Sequence, residues 1–334
     1  MGPDRWKAAG MEAAAAPTTG LRRTRRALDR VGDNALYALT ALAAVLVGLV
    51  IAGIVWKVTA GAWPAIRHFG IGFVWHKTWN PVTENFGALD PFIYGTLLIS
   101  FGAILIAGPL SIAIGLFLSE LAPPAIRGPI GSLIAMLAAV PSVVIGLWGI
   151  LVLGPFMRAD IEPFLHRYFG WIPLFGGEPS QAGVLVAIVV LTMMVIPITS
   201  SICRELFTSV PRDIKEASLG LGATRWEMVR GVVVPYARGG VVAAVTLGLG
   251  RALGEAIAVT MVIGNSLQPL HLSLFATGNT LASQLAGSYQ SAPTNIELQS
   301  LVYLGLILLV ITFIVNVAAQ RIVHRFEFQL SGGK

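Results

Sequence analysis

Residues 209 to 235 read SVPRDIKEASLGLGATRWEMVRGVVVP, a polar and basic stretch set between two long apolar runs. Its local chemistry predicts two short helices. Pro211 suits the first position of a helix, where a missing N–H costs nothing, and Asp213 places favourable negative charge in the same turn. The helix continues through Glu216, Ala217 and Ser218 and is expected to stop at Gly220 or Gly222, the residues best able to take the left-handed conformation that ends helices. Thr224 and Glu227 then form a T-x-x-E capping box that starts a second helix. A helix, a glycine bend and a helix leading into the next apolar run make a projecting unit shaped to sit in another protein's groove. A plain interhelical loop is the simpler alternative, but two helix starts and a glycine stop specify this segment more closely than most connections.

The flanking runs decide the fold class. The chain has 334 residues, is 55% hydrophobic and 12% charged, and has a mean hydropathy of +0.76, far from the balance of a soluble domain. Six apolar runs, near residues 35–57, 92–118, 129–154, 183–203, 238–264 and 299–320, are each long enough to cross a hydrocarbon core about 30 Å thick. Lipid offers backbone N–H and C=O groups no partner, so each span must be helical. The expectation is an all-α polytopic membrane protein. Residues 1–34 form a segment that begins Ala-rich and disordered and ends in the basic, amphipathic LRRTRRALDR. A six-helix domain follows over 35–320, with the docking loop at 209–235, and then a tail over 321–334. The first run is too long for a signal-peptide core and lacks a small-residue cleavage site, so it is read as an uncleaved helix.

Cys203 is the single cysteine, which excludes an intrachain disulfide and a cysteine-rich metal centre. His68, His76, His166, His271 and His324 are scattered without metal-ligand spacing. No cofactor or metal is expected. No G-x4-G-K-[ST] phosphate loop occurs, and the terminal SGGK lacks its spacing, so ATP hydrolysis is not expected of this chain. No paired carboxylates or Ser/His pair falls within the spans, which leaves an intramembrane enzyme without its parts.

Lys and Arg distribution gives orientation. Seventeen of the 23 fall in the N-terminal segment, the connection after the second run, the 204–238 connection and the tail, against five in the other three connections. The positive-inside rule then puts both termini and the docking loop in the cytoplasm. The opposite connections hold Trp63, Trp75, Trp79 and Trp171, which suit an aromatic belt at the membrane interface.

One span carries charge. In LGLGRALGEAIAVTMVIG, residues 247–264, Arg251 and Glu255 are four apart and so share a helix face, beside a stripe of Gly240, Ala244, Gly248, Ala252, Ala256, Thr260 and Gly264 that predicts a tight crossing. Each charge costs about 3 kcal/mol at a bilayer centre, so neither should face lipid. The two can neutralise one another as a structural ion pair. Alternatively they line a pathway, where Arg251 offers a forked donor to an oxyanion and Glu255 keeps the attraction weak enough for release.

Glu216-Ala217-Ser218, three residues, Gly222, nine residues, Val232, one residue and Val234-Pro235 resemble the E-A-A-x3-G-x9-I-x-L-P loop of ATP-binding-cassette importer permeases. DPFIYGTLLIS at 90–100, AAVPSVVIGLWG at 138–149 and GLGRALGEAIAV at 248–259 narrow the resemblance to phosphate-importer permeases of the PstC type. The resemblance implies a MetI-like type I importer fold in a bacterial inner membrane. It also implies that Glu216, Ala217 and Gly222 couple the chain to an ATPase. The implied partners are a second, related permease chain, two ATP-binding-cassette subunits, and an extracytoplasmic phosphate-binding protein. Two alternatives remain: another oxyanion as substrate, sulfate or molybdate, or a proton-coupled carrier using Arg251 and Glu255 as its relay, for which the docking loop would have no purpose.

Overall fold

A computed structural model describes residues 19–268 and 272–330, with side chains over 33–268 and 272–321. Its elements, in order, are α1 (Thr19–Phe69), a short hairpin of β1 (Trp79–Asn80) and β2 (Asn85–Phe86), and α2 (Leu89–Leu121). Then come α3 (Pro124–Ala138), α4 (Ser142–Phe169), α5 (Val184–Thr208) and α6 (Arg212–Gly220). The chain ends with α7 (Arg225–Gly254), α8 (Ile257–Val262), α9 (Leu281–Ser288) and α10 (Asn295–Leu330). Six of these, α1, α2, α4, α5, α7 and α10, are long and apolar enough to span a membrane. The chain divides at Lys57/Val58 into two compact units. The first is the earlier part of α1; the second holds everything that follows. The expectation of a disordered start falls almost wholly outside the described residues, and α10 continues as helix through Leu330 where a tail was expected.

Within the second unit α5 is the central element, because it is apolar on nearly every side and most of it is buried. Two helices reach it closely through small residues. Along α2, Ala103, Ala107, Ser111 and Gly115 recur every four positions and are all buried. A Cβ at Gly115 would lie 2.8 Å from Cys203 Cβ and 3.0 Å from the Arg204 amide nitrogen. Along α7, a Cβ at Gly248 would lie 2.7 Å from Thr199 Oγ1 and 2.9 Å from Val195 Cγ1. Helices in lipid gain little from apolar burial against one another, so this close approach supplies the dispersion contacts that hold them. Pro197 removes one ladder bond inside α5, and nearby the Ser111 hydroxyl of α2 donates to the Ile196 carbonyl at 3.4 Å.

Two apolar runs are not single helices. The run over 129–154 breaks at Val140 and Pro141, where Pro141 takes an extended conformation (φ −59°, ψ 139°) and begins α4. Proline cannot donate to the preceding turn and biases its predecessor away from the helical region. The third span is therefore α4, and α3 is a separate apolar helix of 15 residues. Arg158 and Arg167, expected in a connection, lie on α4. The run over 238–264 ends as a helix at Gly254. Glu255 is extended (φ −72°, ψ 117°), and α8 starts afresh two residues later. The small-residue stripe accordingly holds from Gly240 to Ala252, and Gly264 marks a turn with φ +90°.

Trp63, Trp75 and Trp171 are exposed, as an interfacial belt requires, but Trp79 is not among them. The Asn80 side chain accepts from the Val82 and Thr83 amides at 2.9 and 3.3 Å, which folds the hairpin back. That fold buries Trp79 against Phe73, Phe86 and Phe92, with ring centroids 4.7 to 6.4 Å apart. Trp79 belongs to the core that also holds Leu301, Tyr303 and Leu304 of α10.

The packing of α7 on α5 yields an expected outcome. Gly248→Leu should lower the stability of the purified protein by about 1–3 kcal/mol, the ordinary cost of overpacking. A thermal transition in detergent would show it, with Gly254→Leu, where nothing approaches a Cβ, as the control that leaves the midpoint near wild type.

Candidate functional site

The docking segment has the predicted shape, with one shift. Pro211 is extended (φ −55°, ψ 136°) and precedes the helix, so α6 begins at Arg212. It stops at Gly220; Leu221 caps it, and Gly222 takes φ +90°, a conformation that a side chain strains. The Leu221 amide donates to the Ala217 carbonyl at 3.1 Å and the Ala223 amide to Ser218 at 3.3 Å, so the last carbonyls of α6 are partly satisfied by the bend itself. The capping box then opens α7. Thr224 Oγ1 accepts from the Glu227 amide at 3.3 Å, and Glu227 Oε2 accepts from the Thr224 amide at 2.8 Å.

No residue of α6 is buried. Glu216, Ala217 and Gly222 are exposed on this segment. Beside them stand two large apolar side chains that sequence reasoning passed over, Leu221 at 91% and Trp226 at 65% exposure. Exposed leucine and tryptophan next to an exposed polar helix are the composition of a contact surface. The segment rests on a buried apolar cluster in which Phe207 and Val210, at the end of α5, meet Met228, Val229 and Val233, at the start of α7.

From this base α7 runs unbroken to Gly254. A π turn over Val229–Val233 lets Pro235 enter it: the Val234 amide reaches back to the Val229 carbonyl, so the turn widens where the proline has no N–H to give. Arg251 lies in the last turn of α7, not at the middle of a longer helix, and is exposed. A cation there meets the negative end of the helix dipole. Glu255 is past the helix end, half-buried, and its Oε1 accepts from the Ala258 amide at 3.3 Å at the start of α8. The structure therefore does not place Arg251 and Glu255 on one helical face, and no ion pair joins them. Gly254 lies between them, exposed, with nothing near its Cβ position. Across from Gly250, the Asn316 side chain of α10 approaches a Cβ position to 3.6 Å, so a polar amide borders the same region. The combination of a free guanidinium, a carboxylate and an unwound backbone segment can receive a small anion.

Among the described residues no cluster of three metal-ligating side chains occurs.

A profile of binding-protein-dependent transport system inner membrane components matches residues 111–328. The chain belongs to that family. It is 43% identical over 299 residues to the phosphate transport system permease protein PstC of Mesorhizobium japonicum, covering 88% of this chain and 91% of that one. It is 40% identical over 314 residues to the protein of the same name from Pasteurella multocida, covering 92% and 97%. Among solved structures it resembles a chain of a bacterial alginate ABC transporter, with a TM-score of 0.57 at 16% identity over 89% of this chain and 96% of that one. It also resembles a chain of the MetNI methionine ABC transporter, with a TM-score of 0.51 at 20% identity over 70% and 93%. These structural likenesses concern the fold, which is that of an ABC importer permease. The chain is a multi-pass protein of the bacterial inner membrane and a component of a membrane transport complex.

The capping box should be measurable in isolation. Thr224→Ala removes the acceptor for the Glu227 amide and should cost about 1 kcal/mol locally. Hydrogen exchange of the Glu227 and Met228 amides should then speed up by about fivefold while α5 is unchanged, and Thr224→Ser should restore most of the protection.

Proposed function

We propose that this permease is one of two related membrane subunits of an ATP-driven importer of inorganic phosphate. Two ATP-binding-cassette subunits dock on residues 209–235 in the cytoplasm, and an extracytoplasmic phosphate-binding protein delivers the ion. Both termini share the side of the docking loop. The substrate class is supported by the names of the Mesorhizobium japonicum and Pasteurella multocida relatives. The coupling role is supported chiefly by one observation: an exposed helix leads, through the Gly222 bend and the Thr224 cap, into a single helix whose last turn holds Arg251.

Arg251 has a physical reason to be in the pathway. It is exposed in the last turn of α7 and not paired to Glu255, so its forked donors are open to an anion. Irregular backbone at membrane depth, as at Gly254–Ala256, is tolerated where protein or a water-filled cavity covers it. In this reading Arg251 presents its fork to a phosphate oxygen. Glu255 accepts the proton that hydrogen phosphate retains and sulfate lacks, so sulfate would leave that carboxylate unpaired and repelled. Neither charge needs to bind tightly, since a transported ion must leave.

Two outcomes follow from this reading. Gly222→Asp puts a side chain at φ +90° and a carboxylate on the docking face. It should cut phosphate uptake in intact cells at least about fivefold, the lower range of allosteric coupling, at unchanged membrane levels; undiminished uptake would mean that the loop does not couple, as in a self-powered carrier. For the reconstituted complex, ATPase activity should rise with phosphate and not with sulfate or molybdate, and Glu255→Gln should narrow that discrimination. A Gln variant that still excludes sulfate would remove Glu255 from any role in selectivity.

A further inference from the structure

The docking helix α6 buries none of its residues, so it adds nothing to the apolar cluster that anchors the chain on either side of it. A polar contact ties the helix itself to the body of the protein. Lys215 Nζ lies 2.6 Å from Glu120 Oε1 and also donates to the Phe207 carbonyl at 3.0 Å. Glu120 is in the last turn of α2 and Phe207 is in the last turn of α5. The two charged side chains are only 14% and 10% exposed, unlike the rest of the docking surface. An ion pair shielded from water and salt is stiffer and stronger than one at the surface.

The geometry points to Lys215 and Glu120 as a transmission strut, a pair of positioning residues that carries movement of the docking helix into α2 and α5. This inference rests on the docking role proposed for residues 209–235. The reason is connectivity. The backbone joins α6 to α5 through Ser209–Pro211 and to α7 through Leu221–Thr224, the latter containing the glycine bend. Glu120 is 95 residues away in sequence, and the backbone links α6 to α2 only by way of α5. One ammonium group, with three donors to distribute, therefore ties the docking helix to the ends of two further helices. Those are the helices packed together through Gly115 and Cys203. With the strut intact, an ATPase that displaces α6 moves α2, α5 and α7 together. Without it, the push reaches α7 only through the glycine bend, and α2 has no tie to α6.

The test uses the complete transporter in proteoliposomes and reads phosphate transported per ATP hydrolysed, with assembled complex quantified separately. Glu120→Gln and Lys215→Met should assemble and hydrolyse ATP within about twofold of wild type. Transport per ATP should fall by at least about fivefold, the lower range of allosteric coupling. Lys215→Arg, which keeps charge and donors, should stay near wild type. The Glu120→Gln, Lys215→Met double variant should lose no more than either single one, since both remove the same interaction. The proposal is overturned if the ratio is unchanged in the single variants, including the case where only the amount of complex falls, or if the two losses multiply. Gly222→Asp separates the two levels. If it uncouples transport and the pair variants do not, the strut alone fails; if it too leaves coupling intact, the docking role fails and the strut falls with it.

Discussion

Close approach of α2 and α7 to α5 is the constraint on which the rest of this permease depends. In water, apolar burial would draw these helices together at about 25 cal/mol per Å², but lipid removes most of that drive, and contact must come from shape. The chain meets this with two four-residue stripes of small side chains, one on α2 from Ala103 to Gly115 and one on α7 from Gly240 to Ala252. Both face the same helix. The docking loop inherits its position from this arrangement, because the end of α5 and the start of α7 share the buried cluster of Phe207, Val210, Met228 and Val233. A loop so anchored can be exposed along its outer face without losing its register.

What the amino-acid sequence discloses depends on how local the physics is. Gly222 and the Thr224–Glu227 box were legible because a left-handed residue and an N-cap are decided within four positions. The stripe on α7 was legible for the same reason: a period of four residues is a property of one helix. The equivalent stripe on α2 follows the same rule and was open to the same reading. Helix breaks inside apolar runs were less visible. Apolar continuity says that a segment can be buried, not that it is one helix, and Pro141 reads equally as a kink or an end. At Gly254–Glu255 the signal was present in the order of the residues, a glycine to end one helix and an acid to accept from the first amides of the next. Regular spacing of Arg251 and Glu255 argued more loudly for a shared face.

Contacts distant in sequence left the least trace. Trp79 carries every feature of an interfacial tryptophan, and only the hairpin at 79–86 and the later arrival of α10 convert it into core. Lys215 and Glu120 look like two ordinary charges at the ends of apolar runs. Each has a solvated alternative that sequence cannot exclude, and their pairing depends on the end of α2 meeting the middle of α6.

The same tight packing limits how a push at the docking loop can travel. If α7 slid along α5 by about a turn, roughly 5.4 Å, Ala244 or Ala252 would replace Gly248 beside Thr199, bringing a methyl group to a place where a Cβ has 2.7 Å to the hydroxyl oxygen. At Gly240 the neighbour is the terminal methyl of Leu206, which can turn aside, so Gly248 is the position that obstructs the shift. Axial sliding is thus opposed by the feature that binds the helices. Tilting α5 and α7 as one body leaves those contacts unchanged, as in a rigid-body rotation about an interface. Displacement of residues 212–228 would then reach Arg251 as a swing of the helix end through an arc set by the length of α7. The unwound Gly254–Ala256 segment, with no close neighbour at Gly254, is where that swing can be absorbed before α8. A helix continuous through Glu255 would carry such a tilt into α8 instead, so the break expected least from the apolar pattern is the one that separates the end of α7 from α8.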